Sequence, residues 1–217
     1  MLTTHSNSIA GNSGIVFSTN DLLEGHIEVE SKTRNVAIVN EGASDVVSLL
    51  GVFRLVKYLC QDHILGEERP VRVILDAGTG TTAIGLGIAA SLLGLPWRVS
   101  AVMLAGSIEA YKAKERDLIA QFLRGFGFGS MNDCGVVQWM ERLHKRKFGN
   151  VMEGEVEICS KIGKQTGILV DPIYTLPAWE TSVMLCLPGE EDADVVMIHT
   201  GGTLGFFGLA QRFDAFF

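Results

Sequence analysis

Asp76-Ala77-Gly78-Thr79-Gly80-Thr81-Thr82 is the stretch on which the fold turns. It follows the apolar, β-branched run Val71 to Leu75, which reads as a buried strand. It precedes a run rich in Ala and Gly, from about Thr82 to Leu93, which reads as a small-residue helix closed by Gly94 and Pro96. A glycine turn between strand and helix lets backbone N–H groups point at an anion, and the helix N-terminus adds favourable partial charge. Thr79, Thr81 and Thr82 add hydroxyl donors. Phosphate is the natural guest of such a turn, with a ligand-free tight turn as the alternative.

Outward from this loop, strand and helix patterns alternate. Asn35 to Val39 reads as a strand. Ser44 reads as the cap of a helix running to about Cys60, with Val46, Val47, Leu49, Leu50, Phe53 and Val56 at helical spacing. Val99 to Leu104 reads as a strand, followed by a long amphipathic helix through Phe122. Residues 125–135 form a glycine-rich connection. A helix from about Glu153 to Gln165 leads into the strand-like Gly167 to Val170 and a Pro-containing turn. Val195 to Ile198 is the last strand, ending in a second glycine turn and a short helix. This spacing predicts an α/β fold, a three-layer, mainly parallel sheet with both faces covered. Residues 1–30 are polar and turn-rich and read as a poorly ordered lead-in; residues 31–217 form the main domain.

Composition narrows the function. The chain has 217 residues, 47% hydrophobic and 20% charged, with a net charge of -7, which speaks against nucleic acid as a partner. Its basic cluster, Arg142 to Lys147, reads as a solvated helix end. The cysteines Cys60, Cys134, Cys159 and Cys186 form no C-x-x-C pair, so neither a zinc ribbon nor a disulfide scaffold is expected. No apolar run reaches the ~18–20 residues of a membrane span. The first residues look like neither a secretory signal nor an arginine-rich transit peptide. A soluble intracellular protein is expected; its compartment stays open, with an organelle such as the mitochondrion a candidate for a full-length protein.

Three ligand classes compete for the loop. Gly78-x-Gly80-x-x-Ala83 satisfies the dinucleotide pattern, and Asp76-x-Gly78-x-Gly80 superficially matches a methyltransferase. Both need an acid at the end of the next strand to hold ribose hydroxyls. That strand ends Val102-Met103-Leu104-Ala105-Gly106, and the first carboxylate is Glu109. No Lys follows the glycines, which excludes a Walker loop. Pyridoxal phosphate (PLP) has a phosphate and no ribose.

Three further segments carry a resemblance. They are Asn40-Glu41-Gly42-Ala43-Ser44, Asp171-Pro172-Ile173-Tyr174-Thr175, and His199-Thr200-Gly201-Gly202 followed by Gly205-Phe206-Phe207. In order and spacing they resemble the family of D-cysteine desulfhydrase and 1-aminocyclopropane-1-carboxylate (ACC) deaminase. These are fold-type-II PLP enzymes related to the tryptophan synthase β-subunit. The resemblance implies that Gly78, Thr79, Gly80, Thr81 and Thr82 bind the cofactor phosphate. It implies that Tyr174 is the catalytic phenol, and that Thr200, with Thr175 as a second candidate, faces the pyridine nitrogen. It further implies a small amino-acid substrate and a homo-oligomeric full-length enzyme. His199 reads as a packed residue fixing its turn.

Two departures stand out. Counting back from Asp171 places Phe148 where the family has a second active-site Tyr. The family's cofactor is held by a lysine in an N-terminal Gly-Asn-Lys motif, and none of the eight lysines here follows Gly-Asn. The family's Ser-Asn-His segment, which holds the substrate carboxylate, is also missing. The expectation is an incomplete fold-type-II enzyme, mostly large domain, with the small domain largely absent. Such a chain is expected to be inactive alone, at most a weak PLP binder or scaffold, and to aggregate without the missing half.

Overall fold

A computed structural model describes residues 16–17, 37–38, 41–129, 135–186 and 193–213. The chain divides into two compact units, Met1–Asp45 and Val46–Phe217. In the first, the two-residue strands β1 (Val16–Phe17) and β2 (Ala37–Ile38) pair in parallel, and a 3-10 turn spans Glu41–Ala43. β2 falls within the strand expected at Asn35 to Val39. The lead-in expected over residues 1–30 lies, apart from β1, outside the described residues.

The second unit opens with helix α1 (Leu49–Leu59), followed by β3 (Val71–Ala77), α2 (Thr81–Leu92), β4 (Trp97–Met103) and α3 (Ile108–Phe126). The second half adds β5 (Val137–Glu141), α4 (Glu155–Thr166), α5 (Thr175–Leu185), β6 (Asp194–Met197) and α6 (Gly205–Arg212). The sheet order is β5-β4-β3-β6, and every pair is parallel. On β3, Val71, Val73 and Leu75 pack into the larger core with α1 to α3. Ile74 points the other way, onto Ala178 and Leu185 of α5. That alternation fills both faces of the sheet, as crossover helices require. The larger core is closed by Phe122, 2% exposed and stacked on Phe53 at 5.0 Å. Among the described residues, no helix is long and apolar enough to cross a membrane.

The expected α/β class and its parallel sheet are present, but three local expectations fail. The first helix starts at Leu49, with Ser48 rather than Ser44 at its cap position. Gly167 to Val170 is no strand. Its backbone groups bond to side chains instead: Ile168 N–H to Thr166, and the Leu169 carbonyl to His199 and Thr203. The Pro-containing turn expected after it is present at residues 172–174 and leads into helix α5, in which Pro177 sits in the first turn, where a missing N–H costs nothing. The Arg142 to Lys147 cluster is not a solvated helix end. The segment is irregular, and the Arg142 and Arg146 side chains are 8% and 7% exposed, both against Glu155. Of the glycine-rich connection, residues 130–134 lie outside the described residues.

Candidate functional site at the strand ends

The loop from Gly78 to Gly80 joins β3 to α2 at the C-terminal edge of the sheet, where open α/β sheets place ligands. Gly80 has φ +82°, and a Cβ there would lie 2.9 Å from Trp139 and 3.1 Å from Tyr111. Backbone and space both demand glycine. No side chain caps α2, and a helix N-terminus carries partial positive charge that favours an anion. The Thr79 and Thr81 hydroxyls lie 3.2 Å apart, and Thr82 is exposed. A cleft of about 190 Å³ runs along Gly78, Thr79, Gly106 and Tyr111, with Lys114 on its wall. A phosphate group therefore fits this cradle.

Tyr111 and Glu115 hold the loop from behind, and sequence reasoning missed both. The Tyr111 hydroxyl lies 2.6 Å from the Ala77 carbonyl and 2.7 Å from that of Gly78, and it accepts from Ala105 N–H at 3.2 Å. Its ring lies 4.8 Å from that of Trp139. The Trp139 indole donates to Glu115 at 2.8 Å, and Glu115 also accepts from the N–H groups of Val136 and Val137 at 2.6 and 2.9 Å. Glu115 is only 4% exposed. The signal was available: Tyr111, Glu115, Leu118 and Phe122 share the buried stripe of α3, and a carboxylate on an apolar stripe calls for partners.

Tyr174, at the cap of α5, reaches the loop: a Cβ on Gly78 would lie 3.6 Å from its Cε1. Phe148 meets the Tyr174 ring edge-on at 5.6 Å. Asp171, 2% exposed, aims this segment by accepting from the N–H groups of Ile173 and Tyr174, both at 2.9 Å, and of Thr175. Thr175 is fully buried; its hydroxyl donates to Asp171 at 2.8 Å and accepts from Asp171 N–H at 2.7 Å. Thr175 is thus spent on the turn rather than turned to the cleft.

Thr200 follows β6 and donates to the carboxylate of Asp76 at the end of β3. Burial pushes the Asp76 carboxyl above its usual range, and Thr200 partly opposes this. His199 holds the turn, bonding the Leu169 carbonyl through Nε2 at 2.8 Å and accepting from Gly201 N–H at Nδ1. Gly202 has φ +89°, and a Cβ there would lie 2.6 Å from Asp171 Oδ2, so the two motifs interlock. The structure thus brings the glycine loop, Tyr174 and Thr200 to one end of the sheet. At the end of β4, where a ribose-binding acid would stand, the Leu104 and Ala105 N–H groups bond Tyr111 instead.

Such a parallel sheet, with a glycine turn between a phenol and a threonine at its strand ends, has the α/β fold of the fold-type-II class. Over its whole length this chain is similar in sequence to members of the D-cysteine desulfhydrase and ACC deaminase family, whose enzymes depend on PLP. It is 47% identical over its whole length to a protein of Oryza sativa subsp. japonica carrying the name of a mitochondrial D-cysteine desulfhydrase 2, and it covers 56% of that protein. A protein of Pyrococcus horikoshii bearing the name of an ACC deaminase is 27% identical over 85% of this chain and 55% of its own. A crystal structure of an ACC deaminase homologue superposes with a TM-score of 0.72 over 91% of this chain and 57% of the other, at 22% identity. No protein-family model matches the chain. The chain spans about half the length of these relatives.

Proposed function

We propose that this chain carries the cofactor-phosphate site of a PLP-dependent lyase of the D-cysteine desulfhydrase type. The overall reaction would convert D-cysteine to pyruvate, sulfide and ammonia. Residues 31–217 would form its PLP-binding large domain. The observation carrying this reading is the meeting of Tyr174 with Gly78, and of Thr200 with Asp76, at one strand edge.

When bound, PLP supplies an electron sink that makes the substrate Cα proton removable. Gly78 to Thr82 would hold its phosphate through the first turn of α2 and the threonine hydroxyls. Tyr174 would pass a proton at its phenol oxygen to or from the substrate or the leaving thiol. Phe148, edge-on to it, has no exchangeable proton and would limit water around the phenol. Thr200 has one hydroxyl hydrogen, committed to Asp76, so its oxygen would accept a hydrogen bond from a protonated ring nitrogen. Thr175 would act on the ring only through Asp171 and the Tyr174 turn.

A second reading, a chain that binds PLP without turnover, is favoured by the absence of a Gly-Asn-Lys lysine among its eight. For the isolated chain it is the expected behaviour. Thermal unfolding with PLP, pyridoxal and inorganic phosphate, alongside a sulfide assay with D-cysteine, tests both readings. PLP should stabilise most, because ring and phosphate act together, and no sulfide should appear. A chain indifferent to PLP refutes the cofactor assignment. Sulfide release at ~1 to 10³ s⁻¹ refutes the inactivity.

A further inference from the structure

A second cleft, of about 390 Å³, opens at the C-terminal ends of β4 and β5. Leu104, Gly106 and Ser107 form one wall; Arg142, Lys145 and Arg146 form the other. It meets the Gly78 cleft only at Gly106. The two arginines are an unusual lining, since their side chains are 8% and 7% exposed. Both use Nη2 alone, on Glu155 and on the Pro172 carbonyl. Arg142 Nε, Arg146 Nε and Arg146 Nη1 are buried with no hydrogen-bond partner.

Two guanidinium groups thus share one carboxylate, and Arg142 to Glu155 is the longer contact at 3.3 Å. Glu180, which also interacts electrostatically with Arg146, makes no ion pair with either guanidinium, and burial raises its pKa. Buried charged donors without acceptors are costly, and native proteins normally supply a partner. The other charges around the cleft are engaged: Lys145 pairs with Glu141, and the fully exposed Glu109 bonds Ser107. The first turn of α3 is capped by Ser107 and contributes the positive end of a 19-residue helix.

We propose that this cleft binds a compact oxyanion, a carboxylate or a phosphate, on the guanidinium groups of Arg142 and Arg146. Guanidinium presents paired N–H groups that match either oxyanion. The site stands apart from the PLP cradle and does not depend on the PLP reading.

The test is a ¹H–¹⁵N NMR titration of the 217-residue chain with inorganic phosphate and, separately, with acetate. The Arg142 and Arg146 Nε signals and the amides from Ser107 to Ala110 should shift together and saturate with at least one anion. The arm that saturates at lower concentration identifies phosphate or carboxylate as the ligand. Arg146→Met should abolish these shifts. That change also removes a partner of Glu155, so Ser107→Asp is the second variant. Aspartate still caps the helix, but it sets a negative charge at the cleft. It should weaken binding about tenfold or more while the Gly78 to Thr82 amides still respond to phosphate. Shifts confined to Gly78 to Thr82, or a Ser107→Asp chain that titrates like the parent, would overturn the proposal.

Discussion

Thr200 donates its hydroxyl hydrogen to Asp76 across the parallel strands β6 and β3, 124 residues apart in the chain. The contact ties the last glycine turn to the strand that launches the phosphate-type loop. Asp76 is 8% exposed, and burial raises its carboxyl above the ordinary value of 3.8.

The sign of the resulting pH dependence follows from proton counting. The folded chain binds the Asp76 proton more tightly than the unfolded chain, so stability falls as pH rises from about 3.8 through the raised value. Asp76→Asn keeps an acceptor for Thr200 and removes the buried charge. It should raise the melting temperature at pH 7 by about 2–4 °C, the shift that 1 kcal/mol makes in a chain of this size. The gain should shrink toward pH 4. Melting curves of both chains from pH 4 to 8 check this; an equal gain at every pH would contradict it.

Gly80→Ala should be poorly tolerated for two separable reasons. Alanine at φ +82° costs about 1–2 kcal/mol by itself. Its Cβ would also meet Trp139 at 2.9 Å, which must move and disturb Glu115. Urea unfolding should show a loss of about 2 kcal/mol or more, with loss of the stabilisation by PLP. Thr82→Ala, at an exposed position, should leave stability within about 0.5 kcal/mol.

What the sequence showed and what it hid have the same physical origin. The loop Asp76 to Thr82 was legible because strand, turn and helix each have a local signature. Tyr174 and Thr200 were placed by the family resemblance, not by periodicity. Their meeting with Gly78 and Asp76 is tertiary, and only the structure gives it. Arg142 and Arg146 read as surface charge because a basic cluster carries no trace of the distant Glu155 and Pro172 that bury it. Helix α5 was hidden by Pro177, a breaker anywhere but the first turn, and β5 by being only five residues long.

The cysteines should differ sharply in reactivity. Cys159 is 3% exposed, and burial pushes its thiol pKa up to about 12, with nearby carboxylates adding to the rise. The thiolate is the nucleophile, so Cys159 should resist iodoacetamide at pH 8 while the exposed Cys186 is alkylated. Peptide mass spectrometry over time reads both rates. Comparable labelling of the two in the folded chain would show that Cys159 is reachable.

Glu115 offers the most direct test of how the loop is held. Its two oxygens accept from three donors, the N–H groups of Val136 and Val137 on one and the Trp139 indole on the other. Glu115→Gln keeps the shape but turns one oxygen into an NH2 group that faces donors. At least one buried N–H then loses its acceptor, at a cost of about 1–3 kcal/mol. Glu115→Ala orphans all three and should cost more. Trp139 packs on Tyr111, whose hydroxyl bonds the Ala77 and Gly78 carbonyls, so the damage should spread to the loop. Both variants should therefore lose affinity for inorganic phosphate in step with their loss in urea stability. Leu118→Ala is the control: it opens a cavity on the same helix, at a side chain 3% exposed, without removing any hydrogen bond of this network. It should lose stability and, while folded, keep its phosphate affinity. If Glu115→Gln also kept full phosphate affinity when folded, the network behind the loop would be packing alone.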